Sequence, residues 1–188
     1  NVVTATTTAE VDSESGAITA TAADDVVSGT TVTLNAATGI GAGTAISTGA
    51  TTLSFTNLTS GVVNISNTIG TGNTVAVSGG NTGAGLTSLT ETTGGLSVTG
   101  AAVTGNGAIS ITAKESILLD NVVTATTTAE VDSESGAITA AADDDVVTGT
   151  TVTLNADDGI GTNTQAISTA ANTLAFDNSS TSGVVNIS

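Results

Sequence analysis

Cysteine, methionine, proline, tryptophan, tyrosine, histidine and arginine are all missing from this 188-residue chain, which carries one lysine, Lys114, and two phenylalanines, Phe55 and Phe176. Each absence closes off a class of chemistry. Without cysteine there is no disulfide framework and no thiolate metal site, and the redox compartment leaves no trace. Without histidine the commonest general base and transition-metal ligand is gone. One base against 17 acids, a net charge of -16, leaves nothing to neutralise phosphates, so no nucleic-acid partner is expected and an anionic membrane surface is disfavoured. Long hydrophobic runs are lacking too: glycine and threonine interrupt every apolar stretch well short of the roughly 20 residues of a membrane span. The glycine-rich loops are followed by neither lysine nor a helix, which leaves a phosphate cradle almost no support.

What is present is a repeat. NVVTATTTAEVDSESGAITA, residues 1–20, returns unchanged at residues 121–140, which sets a period of 120 residues. The sequence after each copy also matches, AADDVVSGTTVTLNAATGIG against ADDDVVTGTTVTLNADDGIG. Two small insertions fall in turn-like places, where GIGAGTAIS becomes GIGTNTQAIS and SFTNLTSGVVNIS becomes AFDNSSTSGVVNIS. A fixed internal period is the mark of a repeat architecture. Residues 1–120 form one full repeat and residues 121–188 the start of the next; the pattern begins and stops midway, as expected of a window on a longer array.

Within the repeat, apolar residues alternate with small polar ones. Such segments cover residues 17–22, 31–36, 52–57, 62–67, 74–79, 95–100, 108–113 and 116–121. Period two is the strand signature, and it turns one face inward and one outward. The inward set is Ile18, Val32, Leu34, Leu53, Phe55, Val63, Ile65, Val75, Val77, Leu96, Val98, Ile109, Ile111, Ile117 and Leu119; Thr19, Thr33, Ser54, Asn64, Ser97 and Ser110 point out. No helical periodicity of useful length competes, and threonine, valine and isoleucine favour strands. Glycine and asparagine clusters such as GIGAG, GTGN and SGGNTGAG mark tight corners between them.

Two all-β architectures fit. A tandem array of immunoglobulin-like sandwiches needs large residues to fill a core about 10 Å thick, and this repeat offers one phenylalanine. A parallel β-solenoid fills a narrow interior with ladders of valine, isoleucine, leucine and alanine, each coil stacking on its neighbours. Coils of about 20 residues put about six in residues 1–120 and about three in residues 121–188, in one continuous solenoid that advances roughly 29 Å per period. Coil boundaries are least defined in residues 79–107 and 121–136.

The strings GAITATA, TVTLNAATGIGAG and GNGAISITAKESILLDNVVTATT resemble the repeats of filamentous-haemagglutinin-type large exoproteins and related bacterial adhesins. The likeness covers essentially the whole chain and rests on a strand-and-turn grammar, G-x-[IV]-x-[ILV]-x-A. It implies a right-handed parallel β-helix, export from a bacterial cell, and a role as adhesin or surface fibre whose partners are neighbouring copies and an unspecified host, cell or matrix surface.

The acidic row in the duplicated stretch is the sharpest candidate site: Glu10, Asp12 and Glu14, with copies Glu130, Asp132 and Glu134. In an extended strand, spacing by two puts the three carboxylates on one face about 7 Å apart. With Asp24 and Asp25 from a neighbouring coil they form an all-oxygen candidate for Ca²⁺. The bland reading, a charged face that keeps a rod soluble, outweighs it, because no calcium-loop motif is present. No catalytic residue and no cofactor is assigned. An acidic pair repeated along a fibre, with no aromatic platform, is a poor glycosidase cleft.

Threonine pairs at Thr31/Thr33 and Thr151/Thr153 raise an ice-binding face as an alternative, although TxT does not recur on every coil. The sequons at Asn57, Asn64, Asn178 and Asn186 read as chance matches in a chain this rich in Asn, Ser and Thr. Lys114 is expected to pair with Glu115 or another nearby carboxylate. The composition and repeat point to a non-enzymatic structural rod, and the resemblance implies that it is extracellular and adhesive; a Ca²⁺-stiffened array of immunoglobulin-like domains and an ice-binding solenoid are the alternatives.

Overall fold

The computed structural model of the protein describes residues 1–179 and 183–188. Among these residues there is no helix, and every strand pair is parallel. The chain winds into a β-solenoid of about eight turns with about 22 residues per turn. Two sheets form its walls, one of nine strands running from Val2–Thr4 to Thr173–Asn178, the other of eleven strands beginning at Thr8–Ser13. Stacked sandwiches are ruled out, since their sheets would pair antiparallel. The coil is somewhat longer than 20 residues because each turn also carries its corners, and this changes the number of coils in a repeat.

The interior is a set of ladders. One runs Ala9, Val32, Leu53, Val77, Val98, Leu119, Ala140, each residue in register with the next. All fifteen residues assigned inward from the alternation are buried. Nearly all are covered above and below by another coil, so side chains of four carbons or fewer, with Phe55 the one buried aromatic among the described residues, close the interior. Burying one such Val, Leu or Ile is worth about 1.5–3 kcal/mol. Of the outward set only Ser97 is buried; its register neighbour on the same face is the exposed Leu118.

The expected strand at residues 17–22 is reduced to a bridge between Ile18 and Ile40. Its copy Ala137–Ala140 is a full strand, paired on both sides with Ile117–Leu119 and Gly159–Ile160. Identical sequence thus gains strand geometry when a coil lies on each side of it.

The relation between the two copies is the least expected feature. From Ala9 the ladder reaches Leu119 in five turns, and Ala129, the copy of Ala9, lies ten residues further on. Ala129 belongs to the opposite wall, in register with Ile109 and Val152. The 120-residue repeat is therefore about five and a half turns, not six. Strands Thr8–Ser13, Thr31–Ala36 and Thr52–Asn57 sit in the eleven-stranded sheet, whereas their copies Thr128–Ser133, Thr151–Ala156 and Thr173–Asn178 sit in the nine-stranded one. Short strand Val26–Ser28 and its copy Val146–Thr148 make the reverse exchange.

The exchange is made across Val63–Asn67, Thr74–Asn81, Thr87–Glu91 and Gly95–Gly105. The last of these breaks register between Val98 and Val103 and pairs with two successive strands, Ile117–Leu119 and Val123–Ala125. In the same region Gly79 faces Phe55, with φ +149° and no room for a side chain: a Cβ there would lie 2.7 Å from Phe55 Cδ1.

Buried polar residues mark the corners. Asn57 donates to Ser60 O (2.8 Å) and to Asn81 Oδ1 (2.7 Å), and Asn81 Oδ1 also accepts from the Gly83 amide (3.0 Å). On the other wall Thr48, Asn67 and Glu91 form a second polar ladder, in register from coil to coil.

Candidate functional site

The strand Thr8–Ser13 turns Ala9, Val11 and Ser13 inward, which aims Glu10 and Asp12 at solvent. Its copy Thr128–Ser133 does the same with Glu130 and Asp132, and Glu14 and Glu134 follow just past the strand ends. Both candidate rows are thus extended and outward, as spacing by two requires, but they decorate opposite walls. Glu10 accepts a long hydrogen bond from Asn35 Nδ2 (3.4 Å), and Glu130 one from Ser110 Oγ (3.5 Å). Glu134 pairs with Lys114 Nζ at 3.0 Å, both side chains about half exposed, a contact worth well under 1 kcal/mol. Lys114 therefore meets Glu134 rather than Glu115, whose carboxylate accepts from the Gly72 amide (3.0 and 3.1 Å).

Asp24 and Asp25 do not join the first row. They precede Val26–Ser28, in the wall opposite Glu10 and Asp12. The Asp25 carboxylate is engaged by its own corner, accepting from the Thr21 amide and hydroxyl (both 2.9 Å), the Ala22 amide (3.2 Å) and the N-terminal ammonium. Its copy Asp145 closes the same corner through the Ala142 amide (2.8 Å).

The second row is the more crowded. Asp132, Asn155 and Asp177 are register neighbours, and with Glu134 and Asp157 they line a shallow groove. Partial burial, then the charges of Glu130 and Glu134, push the Asp132 carboxyl above its usual value. Among the described residues no group of three or more carboxylates has the geometry to hold a metal ion.

Hydroxyl groups form a feature that a search for TxT does not find. On the nine-stranded wall the outward pairs Asn64/Ser66, Ser88/Thr90 and Ser110/Thr112 stack in register over three successive turns, then give way to Glu130/Asp132. The looser pattern [NST]-x-[ST] at coil spacing would have revealed them. Thr31/Thr33 stack between Thr8/Glu10 and Thr52/Ser54 on the other wall. Of the sequons, Asn57 is fully buried and unavailable, Asn64 lies on the outer face, and Ser180, completing the one at Asn178, lies outside the described residues.

Fold and surface together define a class, the repeat rod: continuous parallel ladders inside, short hydroxyls and carboxylates outside. No family model, no curated protein and no solved structure matches the chain.

Proposed function

We propose that the chain is a non-enzymatic structural segment of a long extracellular fibre or adhesin at a bacterial surface, of the filamentous-haemagglutinin type. The observation that carries this reading is the continuity of both walls through the copy boundary. Ile109–Ala113 pairs with Thr128–Ser133 and Ile117–Leu119 with Ala137–Ala140, so the ladders cross from Asp120 to Asn121 without interruption. A repeat that splices into the next in this way lengthens a rod without adding an interface, and each coil supports its neighbours. The neighbouring repeat is then the main partner. The half-exposed carboxylates keep such rods dispersed.

The test is contour length. Chains carrying one, two and three further 120-residue units should lengthen by about 26 Å per unit in electron micrographs, at about 4.8 Å per turn, with a 4.8 Å axial reflection. Bead-like growth without that reflection would sink the structural reading. Display of the rod on a non-adherent bacterium tests the adhesive part separately, since unchanged attachment leaves a spacer and removes the adhesin. The ice-binding alternative rests on outward pairs of Asn, Ser and Thr that persist for three turns before carboxylates replace them, and thermal hysteresis measured on the same chains decides it.

A further inference from the structure

The interior ladders are nearly degenerate. On both sheets the inward residues are small and apolar and the outward ones small and polar. A slip by one residue would invert the walls, but a slip by two would restore both patterns. Something besides hydrophobic alternation must select the register, above all in residues 63–105, across which the strands of the repeat exchange walls.

We propose that the buried ladder Thr48, Asn67, Glu91 is the register lock of this crossover. Thr48 Oγ1 donates to Asn67 Oδ1 (2.7 Å), which also accepts from the Ala50 amide (3.0 Å). Asn67 Nδ2 donates to Ala50 O (3.0 Å) and to Glu91 Oε2 (2.7 Å). Glu91 Oε1 in turn accepts from the amides of Thr93 and Gly94 (3.1 Å each), the Thr93 hydroxyl (3.1 Å) and the Ile69 amide (3.3 Å). Glu91 is 1% exposed, so it must keep these donors. In the observed register the carboxylate faces Asn67. A two-residue slip in one direction sets it on Ile65, and in the other beside Ile69, each without the Asn67 donor. Buried polar groups of this kind add little net stability, yet they fix pairing by making the alternatives costly.

Because the chain has no cysteine, engineered pairs can read the register directly. Ser66 and Thr90 are opposed outward neighbours. Ser66 and Ser88 are diagonal, with Cα atoms about 8 Å apart, beyond the roughly 7 Å limit for a disulfide. The Ser66→Cys/Thr90→Cys chain should therefore oxidise, and the Ser66→Cys/Ser88→Cys and Ser66→Cys/Thr92→Cys chains, one for each direction of slip, should not. Each pair is then combined with Glu91→Gln, which keeps one oxygen for the corner but turns an amide donor onto Asn67 Nδ2, and separately with Glu91→Leu. The expected result is that slipped-pair closure rises several-fold over the parent in at least one of these variants while the far-UV strand signal persists. Two results overturn the lock. One is closure of the opposed pair alone in both variants, which would leave register to corner contacts such as Gly61 with Gly85. The other is loss of strand signal in both, which would make Glu91 a condition of folding rather than of register.

Discussion

At the scale of single residues, the same letter has different worth at its two occurrences. Phe55 is 1% exposed, capped by Gly79, whereas its copy Phe176 is 55% exposed on the last strand. Phe55→Ala should cost about 3–5 kcal/mol and Phe176→Ala close to nothing, as measured by urea unfolding of the two variants. Gly79→Ala should cost about 2–5 kcal/mol, because it combines a disfavoured φ with a clash against Phe55; an unchanged midpoint would mean that the ring can move aside.

Asp132 gives a pH signature. Its carboxyl is held above its usual value, so the folded chain keeps this proton to a higher pH than the unfolded chain does. Stability is then lost as pH rises through the window just above the ordinary carboxylate range, and the cost is absent below that range. Asp132→Asn should raise the melting temperature slightly at neutral pH, and the difference should vanish near pH 3; a constant difference would point to packing instead.

At the scale of elements, the core was legible because alternation alone assigns it: a residue between two polar neighbours has one face to choose. The strands that escaped the sequence are those whose inward residues are small or few. In Thr8–Ser13 the inward set is Ala9, Val11 and Ser13, and the two outward acids make the segment look like a loop. Thr87–Glu91 turns Thr87 and Glu91 inward, against every expectation from polarity, because a corner supplies the donors for the carboxylate. The acidic rows were legible as rows but not as a pair. Their assignment to opposite walls depends on coil length, and a coil of 22 rather than 20 residues is fixed by corner hydrogen bonds such as those of Asn57 and Asn81, which no periodicity reveals. Calcium at 1 mM should consequently move the melting curve no further than magnesium at equal ionic strength; a larger calcium shift would reveal a site on the acidic rows, whose carboxylates do not converge on one point among the described residues.

At the scale of the whole molecule, the rod offers trypsin-like proteases one bond, after Lys114. That bond lies in a corner between Ile109–Ala113 and Ile117–Leu119, and both strands are paired on each side. Its cleavage reports opening of coils in the middle of the stack. Digestion should be slow at low temperature and yield two fragments, residues 1–114 and 115–188, only as the solenoid melts; rapid cleavage of the folded chain would show the corner opening on its own.

A repeat of five and a half turns also determines what evolution can write on such an object. A substitution copied into every unit appears on the left flank, then the right, then the left again, and only every second unit, about 53 Å on, returns to the same side. Identical repeats thus make a rod with no preferred side. Handed character, a flank that faces a partner and a flank that does not, must come from the letters in which neighbouring units differ. Here those letters are acidic: Asp143, Asp157, Asp158 and Asp177 stand where the first copy has Ala23, Ala37, Thr38 and Thr56.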